Sequence, residues 1–315
     1  NVLVGGESGD SLTDADFNIG IGTSALGSDT KGSRNVAIGH SALATQNFTS
    51  GTNSYNTAIG FHSGLALTTG AQNTLIGGLA GDAITTGSSN VSMGYLSLTA
   101  NTTGGANTAI GHQALFANTT GANNTAVGKD ALTAVTTASS TTAIGFAAGA
   151  ALTTGSENTA IGFQALDAAT TSNSNTAIGF TSMSTMTSGN QNVAVGTNSL
   201  HSATSSTNCV AVGLNALLTA TTGSNNTSVG MNSMFANTTG GSNVAIGGSA
   251  LAANTTASNN TAVGNDALAA NTTGNLNVAI GAAALDANTV GDRNVAIGYG
   301  ALSTYNPASN EDAAE

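Results

Sequence analysis

Only 6% of the 315 residues are charged, against roughly 25% in ordinary soluble domains, and the net charge of −11 reflects a shortage of Lys and Arg, not an acidic block. Four scattered cations (Lys31, Arg34, Lys129 and Arg293) exclude a nucleic-acid partner, which needs clustered basic side chains to release counterions. No run of about 18 apolar residues occurs, which excludes a membrane-inserted helix, and a single cysteine, Cys209, excludes an intrachain disulfide framework.

From the first residue the chain repeats the motif N-[TV]-A-[IV]-G. Its glycine falls at Gly5, Gly22, Gly39, Gly60, Gly77, Gly94, Gly111, Gly128 and Gly145, then at Gly162, Gly179, Gly196, Gly213, Gly230, Gly247, Gly264, Gly281 and Gly298. These are eighteen copies spaced by 17 residues, except for one interval of 21 between Gly39 and Gly60. Such periodicity predicts an all-β solenoid whose units stack into one core over residues 1–306, followed by a polar acidic tail at 307–315. The start shows no charged segment followed by an apolar one, so no signal peptide is expected.

Each copy predicts the same elements in the same order. The residue before the marker glycine is Ile or Val in every copy but one, Met93, and two residues earlier stands mostly Thr or Val. Side chains alternate along a strand, so these two share a face, which is expected to be the core face because β-branched residues suit a packed pleat. The residue between them is Ala in thirteen copies and Leu, Ser or Gly in the rest, never charged. It is expected to face away from the core under a second covering layer, most simply another copy of the chain. The marker glycine is expected where a Cβ would clash. A second segment follows, usually Ala-Leu as in Ala165-Leu166, and then a Thr-Thr-Gly corner whose Gly is expected at positive φ.

Copies compensate for one another's departures. Most carry Leu or Met four residues after the marker; where that site is Gly (Gly9, Gly64, Gly81, Gly149) an aliphatic residue stands three positions later (Leu12, Leu67, Ile84, Leu152). A missing Leu would otherwise leave a cavity costing roughly 2–5 kcal/mol. The first motif residue is Asn in sixteen copies, with Thr141 and Cys209 as the exceptions. Stacked coils predict a structural ladder of amides about 4.8 Å apart: Asn35, Asn56, Asn73, Asn90, Asn107 and Asn124, then Asn158, Asn175, Asn192, Asn226, Asn243, Asn260, Asn277 and Asn294.

Departures from the repeat are few. Asp10, Asp14 and Asp16 read as a solvated acidic cap. The 21-residue copy at 35–55 holds TQNFTSGTNSY, read as a local bulge or loop. The residue after the marker glycine is aromatic at Phe61, Tyr95, Phe146, Phe163, Phe180 and Tyr299, six of the chain's twelve aromatics. Facing inward they pack between chains; facing outward they form a candidate strip for glycan or protein recognition. His40, His62, His112 and His201 share no single repeat position, and the acidic residues are scattered, so no catalytic residue, metal site or cofactor is expected.

The unit N-[TV]-A-I-G-x-x-[AS]-[LM] resembles the tandem repeats of tailed-bacteriophage tail fibre proteins and is similar to the head repeats of trimeric autotransporter adhesins. The resemblance covers residues 1–306. It implies a parallel β-roll, left-handed in the adhesin heads, with three chains joined along one axis in a virion or at a cell surface. Itself in a homotrimer, other virion tail proteins and a host cell-surface glycan or protein are the implied partners. The resulting expectation is a non-enzymatic host-attachment fibre roughly 85 Å long, with a bacterial adhesin head or an ice-binding solenoid as alternatives. The last is disfavoured because adjacent threonines in a strand point to opposite faces.

Overall fold

A computed structural model describes residues 1–307; the expected tail beyond Pro307 lies outside the described residues. The chain is an all-β parallel β-solenoid, with no helix among the described residues. It divides into two compact units, residues 1–157 and residue 158 onwards.

The first unit holds nine three-residue strands, from Val2–Val4 to Thr142–Ile144. Within the unit, successive strands pair in parallel, and the repeat is its own register: Thr108, Ala109 and Ile110 face Thr125, Ala126 and Val127. The Val91 N–H donates to Asn107 O and the Gly111 N–H to Met93 O, both at 2.8 Å. The second unit holds nine such strands, from Thr159–Ile161 to Val295–Ile297, in the same register, as in Val244, Ala245 and Ile246 against Thr261, Ala262 and Val263.

The strand is turned the opposite way from the sequence expectation. Ala109 and Ala245 are fully buried, whereas Ile110 and Ile246 are 36% and 41% exposed. Alanine is therefore the core residue and the β-branched pair faces outward. The reason is the width of the coil. Seventeen residues enclose an interior in which the strand's inward side chain meets the buried Leu of the second segment, and only a small residue fits opposite it. Departures prove the rule: where the second segment offers Gly64 and Gly81, the strand supplies Leu75. Its δ-carbons stand 2.8 and 2.9 Å from where the two glycines would carry a Cβ. The later aliphatics fill the same space, Ile84 Cδ1 lying 2.7 Å from the missing Cβ of Gly81 and Leu152 Cδ1 3.1 Å from that of Gly149. Where the strand's inward residue is serine, the second segment supplies its partner, Ser92 with Ser97 and Ser228 with Ser233, each pair hydrogen-bonded hydroxyl to hydroxyl. A lone second-segment serine bonds a strand carbonyl instead, as Ser63 does on Leu75 O.

The connecting turns use left-handed backbone repeatedly, as at Gln113 (φ 56°) and Leu115 (φ 51°). Leu115 is fully buried, and that burial offsets the conformational cost. The marker glycine is required twice over. Gly111 has φ 129°, and a Cβ on it would stand 2.6 Å from Gly128 O in the next coil. The corner glycine differs from expectation: Gly104 has no positive φ, and is small because a Cβ there would stand 2.3 Å from Gly121 O. Ala138 and Ser172 occupy the equivalent corner elsewhere. Positive φ falls two residues later, at Ala106 (φ 56°), immediately before the ladder Asn.

The long copy leaves the main sheet undisturbed. Val36 still faces Thr57, and a small second sheet pairs Gly32–Ser33 with Thr52–Asn53. Its anchor is the buried Asp29 carboxylate, which accepts from Gln46 Nε2 (2.7 Å), Gly32 N (3.1 Å) and Phe48 N (3.2 Å).

Candidate functional site

The asparagine column is closed to solvent. Asn107 Oδ1 accepts the Asn124 N–H at 3.0 Å, and its Nδ2 donates to Gly121 O at 2.8 Å. The same pair of bonds is made by Asn56, Asn73, Asn90 and Asn124 in the first unit. In the second it is made by Asn158, Asn175, Asn192, Asn226, Asn243, Asn260 and Asn277. Asn35 accepts from Asn56 N and Ser54 Oγ, and Asn294 Nδ2 donates to Asn277 Oδ1. Most contacts run from amide to the next coil's backbone, with amide–amide bonds secondary, so the side chain acts as a staple between coils. Cys209 keeps half of it: its N–H donates to Asn192 Oδ1 and its Sγ to Gly223 O at 3.4 Å. Burial pushes the thiol pKa up, against weaker opposing hydrogen bonds from the Asn226 and Asn225 backbone.

A second amide ladder, which the sequence reading left without a role, runs through the position seven residues after the marker. Asn118 Nδ2 donates to Asn101 Oδ1 at 3.0 Å in the first unit, and Asn254 to Asn237 at 2.8 Å and Asn271 to Asn254 at 3.1 Å in the second. All five are fully buried. These are the same asparagines that alternate with aliphatic plugs, which was the signal.

The surface column after the marker glycine faces outward within the chain. Phe61 and Tyr95 are both 54% exposed, Phe146 and Phe163 both 41%, Phe180 53% and Tyr299 89%. In the first unit rings stack on their coil neighbours: His40 on Phe61 at 5.5 Å, and Tyr95 on His112 at 5.9 Å, while Lys129 Nζ lies 5.4 Å from the Phe146 ring centre. In the second unit Phe163 stacks on Phe180 at 5.2 Å with an 11° tilt. No protein-family model matches the chain, and no characterised protein aligns with it. The side chains alone therefore carry the functional reading.

A different outward column holds a cluster that the repeat motif does not signal. The residue before the ladder Asn is Phe17, Arg34 and Tyr55 in three successive coils. The Arg34 guanidinium lies 4.8 Å from the Phe17 ring centre and 5.9 Å from that of Tyr55.

Chemistry elsewhere is sparse. No three His, Cys, Asp or Glu side chains gather to hold a metal, and no pocket opens, among the described residues. Ser184 Oγ stands 2.8 Å from His201 Nδ1, which is also 3.1 Å from Thr181 O. A carbonyl only accepts, so that nitrogen carries the proton and gives Ser184 no base. Nor does the strand present a Thr-x-Thr surface. It offers Thr or Val with Ile or Val, and the first corner threonine spends its hydroxyl on the next coil, as Thr102 does on Thr119 O at 3.1 Å.

Proposed function

We propose that the chain is a segment of a homotrimeric attachment fibre of a tailed bacteriophage, a bacterial adhesin head being the alternative of the same architecture. The observation that carries this reading is the direction of the strand. Both β-branched columns point away from an interior that Ala, Leu and Asn already fill. Exposed columns of Ile and Val on a parallel sheet are normally covered, and the repeat offers every coil of a second copy the same complementary surface. Nothing in the interior requires chemistry, which suits a component whose role is mechanical.

Light scattering coupled to size exclusion tests it. A mass near three times the 30.3 kDa chain is expected, falling to that of one chain when Ile110 and Ile246 are both changed to Glu. A wild-type mass near 30.3 kDa would overturn the trimer. Attachment is read separately, as retention of labelled chain on whole bacteria.

A further inference from the structure

The residue before the ladder Asn sits in left-handed backbone in every coil described, with φ near +60°. Asn takes that conformation readily; bulky side chains do so rarely. In the first unit most coils comply with small or polar residues: Gln72, Ser89, Ala106, Asn123 and Ser140. The first three break the rule in succession, with Phe17 (φ 62°), Arg34 (φ 66°) and Tyr55 (φ 51°). The backbone does not ask for these residues, and burial does not repay them: Phe17 is 68% and Tyr55 51% exposed, and Arg34 is exposed as well. Conformational cost combined with exposed aromatic surface is a mark of recognition sites.

The cluster is also held in place. Arg34 Nε donates to Asn53 Oδ1 at 3.0 Å, and Asn53 belongs to the small sheet that only the long copy forms. The guanidinium plane is thereby fixed between two rings. Among the described residues its Nη atoms make no hydrogen bond, and no carboxylate comes within ion-pair distance of them. Lys31 lies three residues away, so two of the chain's four cations fall in this one stretch. A guanidinium fork of this kind matches a carboxylate bidentately. Flanking rings add what a bare inorganic anion cannot use, a flat apolar surface for the C–H face of a sugar ring.

We propose that Phe17, Arg34 and Tyr55 form a binding site for an acidic saccharide, the pyranose ring lying on the open aromatic surface and its carboxylate on the Arg34 Nη fork. This goes beyond the fibre reading, because it depends on local geometry alone and on none of the outward Ile and Val columns.

The test is calorimetric titration of the full chain with a glucuronate-containing tetrasaccharide and, separately, a neutral glucose tetrasaccharide, at low salt. The acidic ligand should bind at least tenfold more tightly, and that preference should shrink as salt rises. Arg34→Gln should abolish the preference. Arg34→Lys keeps the charge and loses the fork, and should recover only part of it. Phe17→Ala and Tyr55→Ala should weaken the acidic ligand at least fivefold. All three side chains altered are exposed, and unchanged melting temperatures confirm that the variants fold. Absence of binding by the wild-type chain, equal binding of the two sugars, or indifference to these variants would each overturn the site. Solution mass recorded on the same sample keeps the two readings apart: a trimer that binds no sugar loses the site alone, and a monomer that binds it loses the trimer alone.

Discussion

The inside of the coil and its outside obey different rules. Inside, departures that change volume are matched by a second one: a Gly in the turn segment by Leu75 in the strand or by Ile84 three residues on, a strand Ser by a Ser, an aliphatic plug by an amide. Outside, the column after the marker glycine runs through His, Phe, Gly, Tyr, Lys, Leu and Met without any matching change. Interior positions share a volume of fixed width, so changes of size there come in complementary sets. Exterior positions share no enclosed volume, so a cluster such as Phe17, Arg34 and Tyr55 is not required by packing.

Substitutions sharpen this contrast, beginning with the largest effect. Gly111→Ala meets both the backbone conformation and the Gly128 carbonyl. It should lose roughly 1–3 kcal/mol to strain and roughly as much again to overpacking, whereas Gly298→Ala, with nothing within 4 Å of its Cβ, should lose the first part alone. Comparing the two melting temperatures separates conformation from contact. Leu115→Ala should cost about 2–5 kcal/mol in chemical denaturation. Ile110→Thr should cost under about 0.5 kcal/mol in an isolated chain, and a larger loss would mean that its column is covered.

The serine pair tests matching directly. Ser92→Ala should destabilise by about 1 kcal/mol, while the double change Ser92→Ala with Ser97→Ala should restore most of that loss, restoring the Ala–Ala arrangement of other coils. Additive losses would break the argument. The smallest effect is electrostatic. Burial pushes the Asp82 carboxyl above its usual value of 3.8, against weaker opposing hydrogen bonds and the His62 charge, and its Oδ1 has no partner. A raised folded pKa means stability that is fully present below the unfolded value and is lost as pH rises through the folded one. Asp82→Asn should therefore raise the melting temperature at about pH 7 and leave it unchanged at about pH 3.

Much of the interior was legible because it is one-dimensional. The period, the marker glycine, the Asn column and the Gly-for-Leu exchange are all relations between positions a fixed distance apart in sequence. Sidedness was not legible. Alternation says that Thr108 and Ile110 share a face and that Ala109 takes the other, but not which face is inside, and β propensity pointed the wrong way. The missing quantity was the width of the coil, which Leu75 opposite two glycines encodes for a reader who already knows which residues meet. The Phe17–Arg34–Tyr55 column carries no such signal: its residues are single departures at a position that varies freely between coils, and only stacking brings them together.

The long copy bears on how this fold takes on new length. Four residues were added between Gly39 and Gly60, yet Val36 still meets Thr57 and the next coil proceeds as if nothing had intervened. The corner near Ser50 and Gly51 is thus a port: sequence inserted there is carried outward and the template for stacking passes underneath it. Any coil with the same corner offers the same opening, so one scaffold can display different loops at chosen intervals along its axis without renegotiating its core.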